Sequence, residues 1–316
     1  MNQPTHPEGG AVRLLPSGSS RPRRWRQYHA SVSALFLSPV IVIIGLFTLV
    51  PMVMTVVISF HKWSMFTPIT RMKPVGFDNY ARLFEDGSRL QALANTGAYV
   101  GLSVLVTLPL ALLIALLLFF PKLKGRNLLR TLLFSTYVIP TIAIVIIFSN
   151  LYAPNYGPFA TLATSLGLPA PTFLSSPNSA LLSLVAFNIW QMLGYYVILL
   201  VAGLTQIPQE LFEAAQLDGA GALRQTAFIT VPLLRHSLVF VALMTVINSV
   251  QVFDPIYLLT QGGPAGSTNV ISFQIQRSAF QNGLAGDASA LAVSLFLLLV
   301  FVGGLLSLAL RGRNQQ

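Results

Sequence analysis

Six apolar stretches, at about 32–59, 96–120, 129–152, 180–204, 233–259 and 287–310, decide what this chain can fold into. A bilayer core about 30 Å thick is crossed by roughly 20 apolar residues rising 1.5 Å each, and every one of these runs is long enough. Their central portions carry no Lys or Arg, each of which would cost roughly 2.5–3.5 kcal/mol at a helix centre. Only 9% of the 316 residues are charged and 54% are hydrophobic, where a soluble domain carries roughly 25% charge. The chain therefore reads as an all-α integral membrane protein with about six transmembrane helices. Pro39, Pro51, Pro109 and Pro140 fall inside the runs and are expected to kink their helices rather than break them, since neighbours can re-satisfy freed carbonyls.

The formal charge of +10 excludes less than its size suggests. Nucleic-acid binding needs basic residues gathered on one face, whereas here they sit in short clusters between the runs. That distribution fits the positive-inside bias. With an inner amino terminus, Arg13, Arg21, Arg23, Arg24, Arg26, Lys122, Lys124, Arg126, Arg130, Arg224, Arg235, Arg311 and Arg313 fall inside the cell. Outside are Arg277 and five cations in the long loop 60–95, and long loops translocate with less regard to charge. Both termini are accordingly expected in the cytoplasm. Residues 1–30 read as a disordered basic cytoplasmic tail and 31–316 as the membrane domain. No signal-peptide cleavage pattern follows the Arg21–Arg26 stretch.

Enzyme chemistry finds little footing. There is no cysteine, so thiol catalysis, disulfides and cysteine zinc sites are excluded. His6, His29, His61 and His236 lie in separate segments without metal-ligand spacing, and no metal site is expected. Gly262-Gly263-Pro264-Ala265-Gly266 lacks the lysine of a nucleotide-binding loop. Neither a nucleophile triad nor paired carboxylates are visible, so no catalytic residue is assigned. Of the outer segments, 60–95 is aromatic-rich, either a small cap or an interfacial belt, and 153–179 reads as a Pro/Ser/Thr-rich turn.

The loop between the fourth and fifth runs, about 205–232, is the most informative. Pro208 suits a first helical position, Glu210 and Glu213 face the helix dipole in the first turns, and Gly219 and Gly221 suit its end. A helix of about 209–217 follows, then a second piece around 222–228 that returns to Pro232. An interfacial helix would carry basic residues on its polar face, but this one carries Glu210, Glu213 and Asp218. An acidic, alanine-rich helix suits a protein partner better than an anionic lipid surface.

Along the fourth run Asn188, Gln191 and Tyr195 share one face, and in the fifth Thr245, Asn248 and Gln251 form a stripe towards Asp254 and Tyr257. Amides with Trp190, Tyr195, Phe253 and Tyr257 would suit the hydroxyls and apolar faces of a sugar. The alternative, interhelical hydrogen bonding worth under about 2 kcal/mol per contact, is equally open for each residue.

Glu213-Ala214-Ala215, three residues, Gly219, nine residues, Ile229, one residue, Val231-Pro232 resembles the cytoplasmic signature of permease subunits of bacterial binding-protein-dependent ABC importers, with valine where leucine is usual. Asp218-Gly219-Ala220 points to the carbohydrate branch. Gly76-Phe77-Asp78-Asn79-Tyr80, Asn95-Thr96, Gly125-Arg126 with Arg130, Trp190, Ala202-Gly203-Leu204 and Thr260-Gln261-Gly262-Gly263-Pro264 match further, from about residue 35 to the end. The resemblance implies a type I importer permease of the bacterial cytoplasmic membrane. It would pair with a second homologous permease, two ATPase subunits and an extracytoplasmic solute-binding protein, moving a sugar by alternating access. ATP and magnesium would sit on the partner subunits, with no cofactor on this chain. The helix at 209–217 would be the coupling helix, with Glu210, Glu213, Ala214, Ala215, Asp218, Gly219 and Ala220 at the ATPase contact. A glycerol-3-phosphate-type cargo is the alternative. An ion-coupled transporter would need buried ionisable residues or a broken helix, neither of which the sequence displays.

Overall fold

A computed structural model describes residues 36–119 and 123–311. The expected tail at 1–30, with Arg13 to Arg26, and also Lys122 and Arg313, lie outside the described residues. The chain divides into two units, Met1–Met54 and Thr55–Gln316. The first contains most of helix α1 (Phe36–Ser59), a 24-residue candidate span; a π-helical turn at Gly45–Leu49 immediately precedes Val50 and Pro51.

The second unit is helical apart from one small hairpin. Its elements are β1 (His61–Lys62) paired antiparallel to β2 (Lys73–Pro74), α2 (Asp78–Glu85), α3 (Gly87–Phe119), α4 (Arg126–Val138), α5 (Thr141–Leu151), α6 (Pro158–Ser165) and α7 (Pro177–Leu204). Next come α8 (Gln209–Leu217), α9 (Ala222–Gln225), α10 (Arg235–Val250), α11 (Asp254–Leu259), α12 (Ile271–Gln276) and α13 (Ala285–Arg311). Five helical stretches among the described residues are long and apolar enough to cross a membrane, or six if α4 and α5 are counted as one bent span.

Two buried layers hold α3, α7 and the stretch 234–256 together. At one end Ala111, Ala115 and Leu118 meet Tyr196, Leu200, Leu204, Leu234 and Val241. At the other Tyr99 meets Leu184, Val252 and Ile256. α3 and α7 thus run parallel and α10 runs against them. Pro109 is accommodated inside α3 without a break. α3 begins at Gly87, nine residues before the apolar run, and its 33 residues span about 50 Å. The first two turns are polar, which is why hydropathy alone places the start at 96.

Pro140 behaves differently from expectation: it breaks the third run. α4 ends at Val138, α5 starts at Thr141, and the two are bent by 97°. Proline supplies no N–H and drives the residue before it to extended backbone, here Ile139 at φ −68°, ψ 133°. A neighbouring helix then stabilises the corner. Gln191 of α7 donates from Nε2 to Thr141 Oγ1 at 2.9 Å, and Thr136 Oγ1 donates to the Gln191 carbonyl at 3.2 Å. One turn further along α7, Gly194 lets the two backbones meet, since a Cβ there would overlap the Leu133 carbonyl.

The fifth run is also interrupted. α10 stops at Val250 and α11 begins at Asp254, so the stripe from Thr245 to Tyr257 is not one continuous helix face.

Segment 60–86 packs as a small folded cap rather than a loose belt. Gly76 takes φ 58°, Asn79 is buried and donates to the Ser59 and His61 carbonyls, and Tyr80 Oη lies 2.7 Å from Ser59 Oγ. Phe60, Phe77 and Tyr80 form one aromatic cluster. Segment 153–179, expected as a turn, contains α6.

Candidate functional site

The loop between α7 and α10 is built from local signals. α8 covers Gln209–Leu217 with Glu210 in its first turn. Pro208 sits one position earlier than expected, as the cap at φ −57°, ψ 131°. The helix stops in a Schellman motif, with Gly219 N–H bonded to Gln216 O at 3.0 Å and Ala220 N–H to Ala215 O at 2.9 Å. Gly219 supplies the left-handed residue at φ 77°. Gly221, expected to share that role, instead has φ −68° and caps α9. A π-helical turn at Thr226–Thr230 and a last turn at Val231–Leu233 lead into α10.

The predicted contact residues of this loop divide between two faces. Glu210, Glu213, Ala214, Asp218 and Gly219 are exposed, whereas Ala215 and Ala220 are half-buried. Glu213 accepts a hydrogen bond from Gln209 Nε2 at 2.8 Å. Sequence reasoning missed Leu217, Leu223 and Phe228, which stand 90%, 89% and 76% exposed on the same loop. Large exposed apolar side chains are the feature that a protein or membrane contact would bury. The signal was present in the sequence as apolar residues flanking the glycine-rich stop.

The residues assigned to a solute route do not form one surface. Asn188 and Gln191 are buried, and Gln191 uses its side-chain amide at the α4–α5 corner. Asn248 donates to Tyr196 Oη at 3.1 Å, from one helix to another. These two amides therefore follow the interhelical alternative. Trp190 is partly exposed with its ring 5.0 Å from that of Phe148. Tyr195 is half-buried and stacks on Tyr137 at 4.6 Å and 15°; Tyr137 was not foreseen. Phe253 and Tyr257 stack at 5.3 Å, and Gln251 and Asp254 are exposed beside them at the α10–α11 break. Among the described residues no group of acidic or histidine side chains could hold a metal.

At the same end of the bundle, Asn95 and Thr96 organise the segment after α11. Asn95 Nδ2 donates to the Gly266 and Asn269 carbonyls, both at 2.9 Å. Thr96 Oγ1 accepts the Ile271 N–H at the start of α12. Thr268 Oγ1 donates to the Gly263 carbonyl at 2.6 Å and lies 2.8 Å from Thr260 Oγ1, closing the glycine-rich loop on itself. Nearby, Arg89 Nη2 donates to Asp287 Oδ2 at 2.7 Å with both side chains nearly buried. This ion pair ties the first turns of α3 and α13, and the sequence reading had placed Arg89 simply in an outer loop.

Residues 107–314 match the family model described as binding-protein-dependent transport system inner membrane component. The probable ABC transporter permease protein YurN of Bacillus subtilis is 35% identical over 82% of this chain and 88% of its own length. The trehalose/maltose transport system permease protein MalF of Thermococcus litoralis is 33% identical over 86% of this chain and 90% of its own. Among solved structures, a bacterial ABC transporter involved in the import of the acidic polysaccharide alginate superposes with a TM-score of 0.80. It is 24% identical and covers 92% of this chain and 99% of that one, a likeness of fold.

Proposed function

The chain belongs to the family of binding-protein-dependent transport system inner membrane components, and from that membership we propose that it is one permease half of an ATP-driven importer for a neutral saccharide. It is a multi-pass inner-membrane protein. Its partners in this reading are a second permease, two ATPase subunits and an extracytoplasmic solute-binding protein. The observation that carries the reading is α8, an exposed helix with a sharply defined stop, flanked by Leu217, Leu223 and Phe228. Docked in a groove of an ATPase, α8 would move with it as a rigid body and pass the motion into α7 and α10, switching access from one side to the other.

The trehalose/maltose relative supports a sugar. The exposed or half-buried candidates, Trp190, Tyr195, Gln251, Phe253, Asp254 and Tyr257, offer aromatic faces and an amide but no cation, which disfavours a phosphorylated cargo. Purifying the chain with its co-expressed partners and measuring ATPase activity tests the reading. Stimulation by a sugar-loaded binding protein is expected. A complex whose ATPase is insensitive to every sugar, or that responds to a phosphodiester instead, would overturn the saccharide assignment.

Topology gives the first prediction. Single cysteines can be placed freely in this cysteine-free chain. An impermeant thiol reagent added to intact cells should label positions 78, 176 and 263 and leave 224 unlabelled; labelling at 224 contradicts an inner α8.

The second concerns Gln191, which the geometry makes a positioning residue. Gln191→Leu removes one interhelical hydrogen bond worth about 0.6–2 kcal/mol, so maximal uptake should fall roughly three- to thirtyfold with KM unchanged. Gln251→Leu should instead raise KM about two- to tenfold. A raised KM in the Gln191 variant would return that residue to the solute route.

A further inference from the structure

A cleft of about 710 Å³ opens behind the coupling helix, between the inward face of α8 and the adjoining ends of α3, α4 and α7. Its volume lies within the range of small-molecule sites, about 300–1,000 Å³. The wall carries four side-chain amides, Gln206, Gln209, Gln216 and Gln225, with the hydroxyls of Thr226 and Thr230. Amides supply donors and acceptors together, as vicinal hydroxyls require. Phe119 and Phe212, ring centroids 6.2 Å apart, give the cleft aromatic surface for the C–H faces of a ring. Among the described residues two charged side chains line it, Arg126 and Glu213, and they are of opposite sign. Gln209 already donates to Glu213 Oε1 and Gln225 to the Ala220 carbonyl, which leaves Gln206 and Gln216 to meet a ligand; an acyl chain would pair with neither, and an anion would need an excess of cations here.

We infer that this cleft binds a neutral mono- or disaccharide from the cytoplasmic side. A ligand seated there touches α8 through Phe212 and Gln216 and the ends of the spanning helices through Phe119 and Arg126. It therefore ties the coupling helix to the bundle. If the imported solute is itself such a sugar, which rests on the function proposed above, accumulated product restrains α8 and slows further import.

The absence of native cysteine allows a direct test. Gln216→Cys places a thiol in the cleft, and Leu217→Cys, outside it, serves as the control. Thr226→Cys is a second reporter, needed because position 216 itself contacts the ligand in this reading. The full chain in lipid nanodiscs is alkylated with a maleimide in the presence of glucose, maltose, trehalose, lactose or inorganic phosphate. The expected result is slowing of alkylation at 216 or 226 by at least one saccharide, roughly tenfold at ten times its Kd. Position 217 and the phosphate samples should be unaffected. Phe212→Ala introduced beside the reporter should abolish the protection. The inference is overturned if no saccharide protects either reporter, or if phosphate protects equally. Sugar import by the assembled transporter with no saccharide protecting either reporter would sink this inference and leave the proposed function standing. Protection without import would do the reverse.

Discussion

Replacing Asp287 with alanine is expected to destabilise the protein by about 3–5 kcal/mol, because it leaves the Arg89 guanidinium buried without its partner. The Arg89–Asp287 contact is 2.7 Å, with side-chain exposures of 11% and 4%. Asp86, 3.2 Å from Arg89 Nε but far more exposed, offsets only part of the loss. The carboxylate also lies in the first turn of α13, where it faces the positive end of that helix. The double variant Arg89→Leu with Asp287→Leu removes both charges and should recover most of the lost stability. Thermal unfolding of the detergent-solubilised chain reads both effects. If the single and double variants melt together, the pair is not what ties α3 to α13.

The second large effect belongs to the loop between α7 and α10, proposed above as the ATPase contact. Leu217→Asp and Leu223→Asp each place a charge where a side chain is almost fully exposed in the isolated chain. Burying such a leucine against a partner stabilises by roughly 1.5–3 kcal/mol, so each variant should lower ATPase retention about ten- to a hundredfold. Gly219→Val adds a cost of another kind. A Cβ there meets nothing within 4 Å of this chain, so the cost, about 1–2 kcal/mol, is that of a β-branched residue at positive φ. Ala214→Trp tests bulk on the exposed face, whereas Ala215 is half-buried and its enlargement would also disturb the chain itself. All four variants should insert normally, since no spanning residue changes. Co-purification of the ATPase and uptake in cells are the readouts. Normal retention and uptake throughout would mean that this loop is not the coupling element.

Local chemistry made α8 legible in the sequence. Its bounds follow from Pro208, the acidic first turn and Gly219, each acting within a few residues. The spanning stretches were legible for a related reason, since lipid imposes composition on every residue that meets it. What remained hidden depends on residues far apart in the chain. Whether Pro140 kinks or breaks its helix is settled by Gln191 and Gly194, about 50 positions away, which stabilise the corner and allow the close approach. Arg89 looked like a loop charge because its partner lies 198 residues further on. For the route residues the sequence left two readings equally open, for the same cause. Periodicity puts Gln191 and Asn248 on polar stripes, but only packing reveals that Thr141 and Tyr196 already occupy their amides. A buried ion pair and a broken helix were the features expected of an ion-coupled transporter, and both exist here. The pair sits at the first turns of two helices, and the break is a corner braced by Gln191 of a neighbouring helix.

The exposed Leu217, Leu223 and Phe228 also bear on abundance in the cell. In the proposed assembly, a copy synthesised in excess of the ATPase displays three large apolar side chains of the kind that chaperones and membrane proteases sample continuously. An assembled copy hides them. Proteolytic half-life is then expected to report stoichiometry, lengthening when the ATPase is co-expressed.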